Sequence, residues 1–119
     1  MPNPYGAPEI SVKQVDTKRK NGEHFVWLDV REQEELAHVS INDERIRLSP
    51  LSELADRQLA ALPSEAQDQQ AEIVVFCHHG MRSAQVAAWL RQQGWQKVTS
   101  MTGGVAAWAQ EVDPAIGTY

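Results

Sequence analysis

Thiol chemistry in this chain has a single carrier, since Cys77 is the one cysteine among 119 residues. That excludes an intramolecular disulfide and any zinc site built from several thiolates, and it suits a reducing compartment. Long apolar runs are missing too, and none approaches the roughly 20 residues needed to cross a bilayer as a helix. The opening stretch has prolines at positions 2, 4 and 8 but neither the basic nor the apolar region of a secretory signal, so the expectation is a cytoplasmic protein with no membrane partner. Basic charge is scarce. The 11 Lys and Arg stand against 16 Asp and Glu, a net charge of −5, which opposes nonspecific attraction to nucleic acid or anionic lipid. No repeat or low-complexity segment occurs. With 42% hydrophobic residues, a chain of this length is expected to bury one core and fold without disulfide or metal.

Acidic residues are absent from one long stretch. Residues 1–72 hold eight Lys and Arg and fourteen Asp and Glu, a net of −6, whereas residues 73–110 hold only Arg82, Arg91 and Lys97, a net of +3; Glu111 and Asp113 supply the remaining −2. The only cysteine lies in that acid-free stretch, which makes it the place to look for an anionic substrate.

Residues 1–8 read as an extended arm, 9–113 as the domain and 114–119 as a C-terminal tail. Ser11-Val12-Lys13-Gln14 has capping-box form and opens a helix that ends at Asn21-Gly22. Phe25-Val26-Trp27-Leu28 is a short continuous apolar run, the pattern of a strand covered on both faces. Glu32–Leu36 predicts a short helix, with acids in its first turn favoured by the dipole. The alternation in Arg45–Leu48 predicts a strand, and Ser49-Pro50 places an N-cap before a proline that opens a helix to about Ala61. Pro63–Gln70 reads as a polar loop. Ile73-Val74-Val75-Phe76 is a second buried strand leading straight into Cys77. A helix follows from Arg82 or Ser83 to Gly94, with Val86, Ala87, Trp89 and Leu90 inward, then a strand over Val98–Met101 and a helix over Val105–Gln110. Trp27, Trp89, Trp95 and Trp108, on separate elements, read as core or pocket wall. Strands alternating with helices predict an α/β fold with a mainly parallel central sheet and helices on both faces.

The segment with chemistry is Cys77-His78-His79-Gly80-Met81-Arg82-Ser83, a tight loop between a buried strand and a helix. Successive backbone N–H groups in such a loop, backed by the helix N-terminus, form an anion-binding nest. Around Cys77 this favours the thiolate, with Arg82 adding positive charge. A more acidic thiol is also a weaker nucleophile, so the gain in rate from ionisation alone is small. The larger contribution is the holding of a charged sulfur by donors already in position. A lone cysteine after a strand is usually a small buried hydrophobe, but that role needs no cationic loop around it. His78 and His79 are adjacent, so their side chains are expected to diverge; with no further clustered ligands a metal site is not expected, and no cofactor is implied. Ser83 either donates to a bound sulfur or caps the helix.

These residues resemble the rhodanese family of sulfurtransferases, whose active loop has the form Cys-x-x-Gly-x-Arg-Ser. Leu28-Asp29-Val30-Arg31-Glu32 is similar to that family's strand-end motif, and Gly103-Gly104 with Ala107-Trp108 to its Gly-Gly-x-x-Ala-Trp ending. Three motifs in the right order span residues 9–113. The resemblance implies Cys77 as the catalytic residue and His78, His79, Gly80, Met81, Arg82 and Ser83 as the substrate-binding loop. Asp29 and Arg31 would support it, Asp29 by anchoring Arg31 or the loop. It further implies a rhodanese-like fold and an anionic sulfur donor such as thiosulfate. Cyanide, a thiol or a protein would accept the sulfur from a Cys77 persulfide. One stretch departs from the family, which commonly has Gly-His-Ile-Pro-Gly-Ala where this chain has Ala37-His38-Val39 and continues to Arg45 without proline or glycine. That change bears on acceptor specificity.

Two other classes fit the same loop less well. Cysteine phosphatases and arsenate reductases of this fold place five residues between cysteine and arginine, where this chain has four, His78 to Met81. A persulfide carrier with little turnover of its own differs from an enzyme only in its acceptor, which the sequence does not name.

Overall fold

The computed structural model describes residues 3–119. Five strands, β1 (Glu9–Ile10), β2 (Val26–Asp29), β3 (Ile46–Leu48), β4 (Ile73–Phe76) and β5 (Val98–Met101), form one sheet in the order β1-β5-β4-β2-β3. Every pairing is parallel. The helices are α1 (Val12–Lys20), α2 (Leu51–Arg57), α3 (Met81–Gln92) and α4 (Gly104–Glu111).

Alternation along the strands separates two cores. Val26, Leu28, Ile73, Val75 and Cys77 point to the face covered by α2 and α3, where they meet Leu54, Ala84, Ala87 and Leu90. Trp27, Val74 and Phe76 point the other way, to Val12 and Val15 of α1 and Val105 and Trp108 of α4. Because β2 and β4 are covered on both sides, all eight of their residues are buried, which explains the unbroken apolar runs in the sequence.

Several expectations are corrected by pairings that sequence neighbours cannot show. The arm is not simply extended: Asn3 Oδ1 accepts from the backbone N–H groups of Tyr5 (3.0 Å) and Ala7 (3.1 Å), an Asx-type turn that delivers Ala7 to the core. Residues 1 and 2 lie outside the described residues. Strand β1, absent from the sequence reading, is held by β5. The helix expected over Glu32–Leu36 is a 3-10 turn over Gln33–Ala37. Ser49 does not cap α2; its N–H bonds Asp29 O (2.8 Å) and its hydroxyl bonds Ala61 O (3.1 Å), while Leu51 N bonds Val30 O (3.1 Å). Helix α2 therefore starts after Pro50 and breaks at Gln58, where φ is +54° and a 3-10 turn over Gln58–Ala61 begins. The polar loop contains a further 3-10 turn, Ser64–Ala66, whose Ala66 carbonyl accepts from buried Trp95 Nε1 at 2.9 Å. Among the described residues no helix is long and apolar enough to cross a membrane.

Candidate active site

Parallel strands bring all their carboxyl ends to one rim, and ligands of open α/β sheets bind in the crevice beyond it. At that rim β4 ends in Cys77. The chain then turns sharply through Gly80, whose φ of +106° suits glycine. A Cβ there would also lie 3.1 Å from the Gly103 backbone nitrogen. Helix α3 begins at once, with Gly80 as its N-cap. It starts at Met81, earlier than expected, so Ser83 is not a cap but lies within the first turn, facing inward.

Two backbone N–H groups donate to the sulfur. Gly80 N–H donates to Cys77 Sγ at 3.1 Å and Ser83 N–H at 3.4 Å, while Ser83 Oγ lies 3.5 Å away. Ser83 Oγ is in turn 2.8 Å from Ser100 Oγ of β5 and 3.2 Å from Gly80 O. A hydroxyl has one proton to give, so Ser100 can donate to Ser83 while Ser83 turns its own proton to a deprotonated sulfur. The second helix N-terminus at the rim holds the loop itself: Val105 and Ala106 N–H groups bond the carbonyls of Cys77 (2.9 Å) and His78 (3.0 Å). Gly104 lets α4 approach this closely. With φ of +58°, a Cβ at that position would fall on Cys77 O and lie 2.6 Å from His78 O.

Charge at the rim is arranged in pairs. Arg82 gives two hydrogen bonds, 2.6 and 2.9 Å, to the carboxylate of Glu35, so it is not a free cation above the sulfur. The Arg82 hydrogen bonds hold Glu35 down at a pKa of about 2 against the opposing effect of burial, helped by the N–H of Glu32 and by Tyr119. The same pairing raises Arg82. Asp29 and Arg31 are both buried and form a forked pair: Arg31 Nη2 reaches Asp29 Oδ2 at 2.8 Å and Nε reaches Oδ1 at 3.0 Å. Asp29 also accepts from Arg31 N (3.0 Å), so its partner is Arg31 rather than the cysteine loop. Arg31 Nη1 donates to Val39 O at 2.8 Å, tying the divergent 37–45 stretch to the rim.

His78 and His79 do not diverge. Their rings stack with centroids 3.8 Å apart, because the loop curls around the sulfur and fans consecutive side chains to one side, where the Tyr119 ring stacks on His78 at 3.7 Å. Burial and the neighbouring His79 lower the pKa of His78. Met81 points outward and is 53% exposed. Among the described residues no group of three or more His, Cys, Asp or Glu side chains comes together to hold a metal ion. The sequence reading missed Glu35, Ser100 and Tyr119. The expected tail folds back through a 3-10 turn, Pro114–Ile116, to reach the rim.

A parallel sheet that presents a cysteine to two backbone N–H donors at the start of a helix defines an α/β domain of the cysteine-loop type. The chain belongs to the rhodanese-like domain family, whose model matches residues 11–111, and relatives in that family are named as sulfurtransferases. The putative sulfurtransferase YtwF of Bacillus subtilis is 34% identical over 107 residues, covering 89% of this chain and 94% of its own length. The chloroplastic rhodanese-like/PpiC domain-containing protein 12 of Arabidopsis thaliana is 35% identical over 114 residues; the match takes in 93% of this chain but only 37% of that protein's length. The human single-domain sulfurtransferase TSTD1 has the same fold, with a TM-score of 0.72 at 25% identity over 89% of this chain and 98% of its own.

Proposed function

We propose that this chain is a rhodanese-type sulfurtransferase that carries sulfane sulfur on Cys77 between a donor such as thiosulfate or a persulfide and a nucleophilic acceptor. The observation that carries this reading is the environment of Cys77 Sγ, with two backbone N–H groups at 3.1 and 3.4 Å at the start of α3. Such donors are in place before reaction and favour an anionic sulfur without reorganisation.

In the first half-reaction the Cys77 thiolate attacks the outer sulfur of thiosulfate. The new S–S bond forms as the old one breaks, and sulfite leaves with the electron pair. The persulfide's terminal sulfur is then attacked by cyanide, a thiolate or a protein thiol, and Cys77 departs as thiolate. Covalent storage of this kind gives ping-pong kinetics. Arg82 contributes positive potential, but Glu35 neutralises much of it, so the amide dipoles and the Ser83 hydroxyl do most of the holding. A phosphoryl group would need the guanidinium that Glu35 occupies, and a loop with four residues between Cys77 and Arg82 is tighter than the five-residue loops of cysteine phosphatases; both favour sulfur over phosphate.

Intact mass spectrometry tests the cycle. The protein gains one sulfur atom on treatment with thiosulfate and loses it to cyanide, while Cys77→Ser stays folded and gains nothing. Sulfur uptake by Cys77→Ser, or turnover in that variant, rules the mechanism out.

A further inference from the structure

Cys77 has almost no surface of its own, being 1% exposed. At this rim the junction between the segment after β2, which bears Arg31 and Glu35, and the loop after β4 is closed by the Glu35–Arg82 pair. Tyr119 reaches it from outside both segments. Its ring lies on His78 at 3.7 Å, with the His38 ring near-parallel at 5.6 Å. Its hydroxyl accepts from Arg31 Nη1 at 3.1 Å and donates to Glu35 Oε1 at 2.9 Å. The Arg31 guanidinium lies 5.8 Å from the Tyr119 ring and 6.0 Å from that of Phe76, the residue before the cysteine.

The hold on Tyr119 differs from the packing of the core. Residues 117–119 are exposed, and the segment borders a cavity of about 450 Å³ whose other walls include His79, Ala106, Ala109 and Gln110. Open space lies behind it in place of packed side chains. The Tyr119 side chain is retained by ring stacking and the two hydroxyl contacts, with a further hydrogen bond between His78 and the Tyr119 backbone, so the side chain can swing away without breaking either core cluster, of which it is no part.

We propose that Tyr119 is the specificity-determining residue of this site, admitting compact reaction partners to Cys77 and holding back those with a bulky body. For sulfur acceptors the proposal rests on the sulfurtransferase reading; for access to the thiol itself it does not. Two uncharged alkylating agents, iodoacetamide and a maleimide bearing a polyethylene glycol chain, measure access to the Cys77 thiol without turnover. Discharge of the Cys77 persulfide to cyanide and to glutathione measures the same size preference in sulfur transfer.

In Tyr119→Ala the rate with the large partner rises at least about tenfold relative to the small one, the gain expected when an open state populated at about 10% becomes the rule. Tyr119→Phe keeps the stacked ring and loses both hydroxyl contacts, and it falls between the parent and Tyr119→Ala. A large-to-small ratio unchanged in both variants overturns the proposal, and so does an equal rise with both partners, the mark of general loosening. If thiosulfate loads no sulfur on the parent protein while the alkylation ratio shifts, the sulfurtransferase reading fails and the role of Tyr119 stands. If sulfur loads and neither ratio shifts, only the role of Tyr119 fails.

Discussion

Glu35 and Arg82 meet across 47 positions of sequence, and their pairing links the charge of the site to the stability of the fold. The folded carboxyl, at a pKa of about 2, lies below its ordinary value of 4.5. A depressed carboxyl contributes stability that is fully present above the unfolded value and lost as pH falls through the folded one. With both side chains partly open to solvent, the contribution at neutral pH is about 1–3 kcal/mol. Glu35→Gln should therefore be less stable by that amount in urea unfolding at pH 7 and match the parent only below about pH 2. A constant offset at both pH values would show that the loss is packing and not charge. In the sequence, Cys77, Gly80, Arg82 and Ser83 were legible because they are close neighbours with a local geometry to satisfy. Glu35, Ser100 and Tyr119 were not, since their contacts span 47, 17 and 84 positions and nothing beside them in sequence records the partner. The histidine stack escaped for a related reason: adjacent residues diverge in extended backbone, and only the curl of the loop brings them together.

Helix α2 shows how an element can be legible in kind and wrong in extent. Its start and apolar positions suggested a helix to Ala61, yet it ends at Arg57, and Gln58 takes a positive φ with neither glycine nor proline to announce it. The Leu54 carbonyl accepts the Gln58 N–H there, and the following turn carries the chain to Ala61, whose carbonyl is claimed by Ser49. Tertiary demand thus holds a residue in a conformation that L side chains disfavour, at about 1 kcal/mol or more. Gln58→Gly should relieve it and raise the midpoint of thermal unfolding by about 4 °C; a lower midpoint would mean that the glutamine side chain contributes more than the strain removes. The two central strands were legible for the opposite reason. Four consecutive apolar residues, too few for a helix, have few alternatives, whereas the two residues of β1 are too few for any pattern.

Across the whole molecule, stability is distributed unevenly between a sheet buried on both faces and the exposed segment that reaches over it. Amides of β4, which is fully buried and flanked by β5 and β2, should exchange with deuterium only through global unfolding. Those of residues 114–119 should exchange at least about a hundredfold faster, through local opening. Mass spectrometry of proteolytic fragments after timed exchange checks this, and equal protection in the two regions would contradict the loose hold on Tyr119.

The all-parallel sheet also leaves a second rim. Connections into the strands, around residues 21–25, 67–72 and 93–97, lie at the amino ends, away from Cys77 and its partners. They are largely exposed and polar, the type of connection that tolerates inserted sequence. The domain is in this sense a cartridge with one working end and one mounting end, and a fluorescent reporter grafted at 68–70 would leave the cysteine loop untouched.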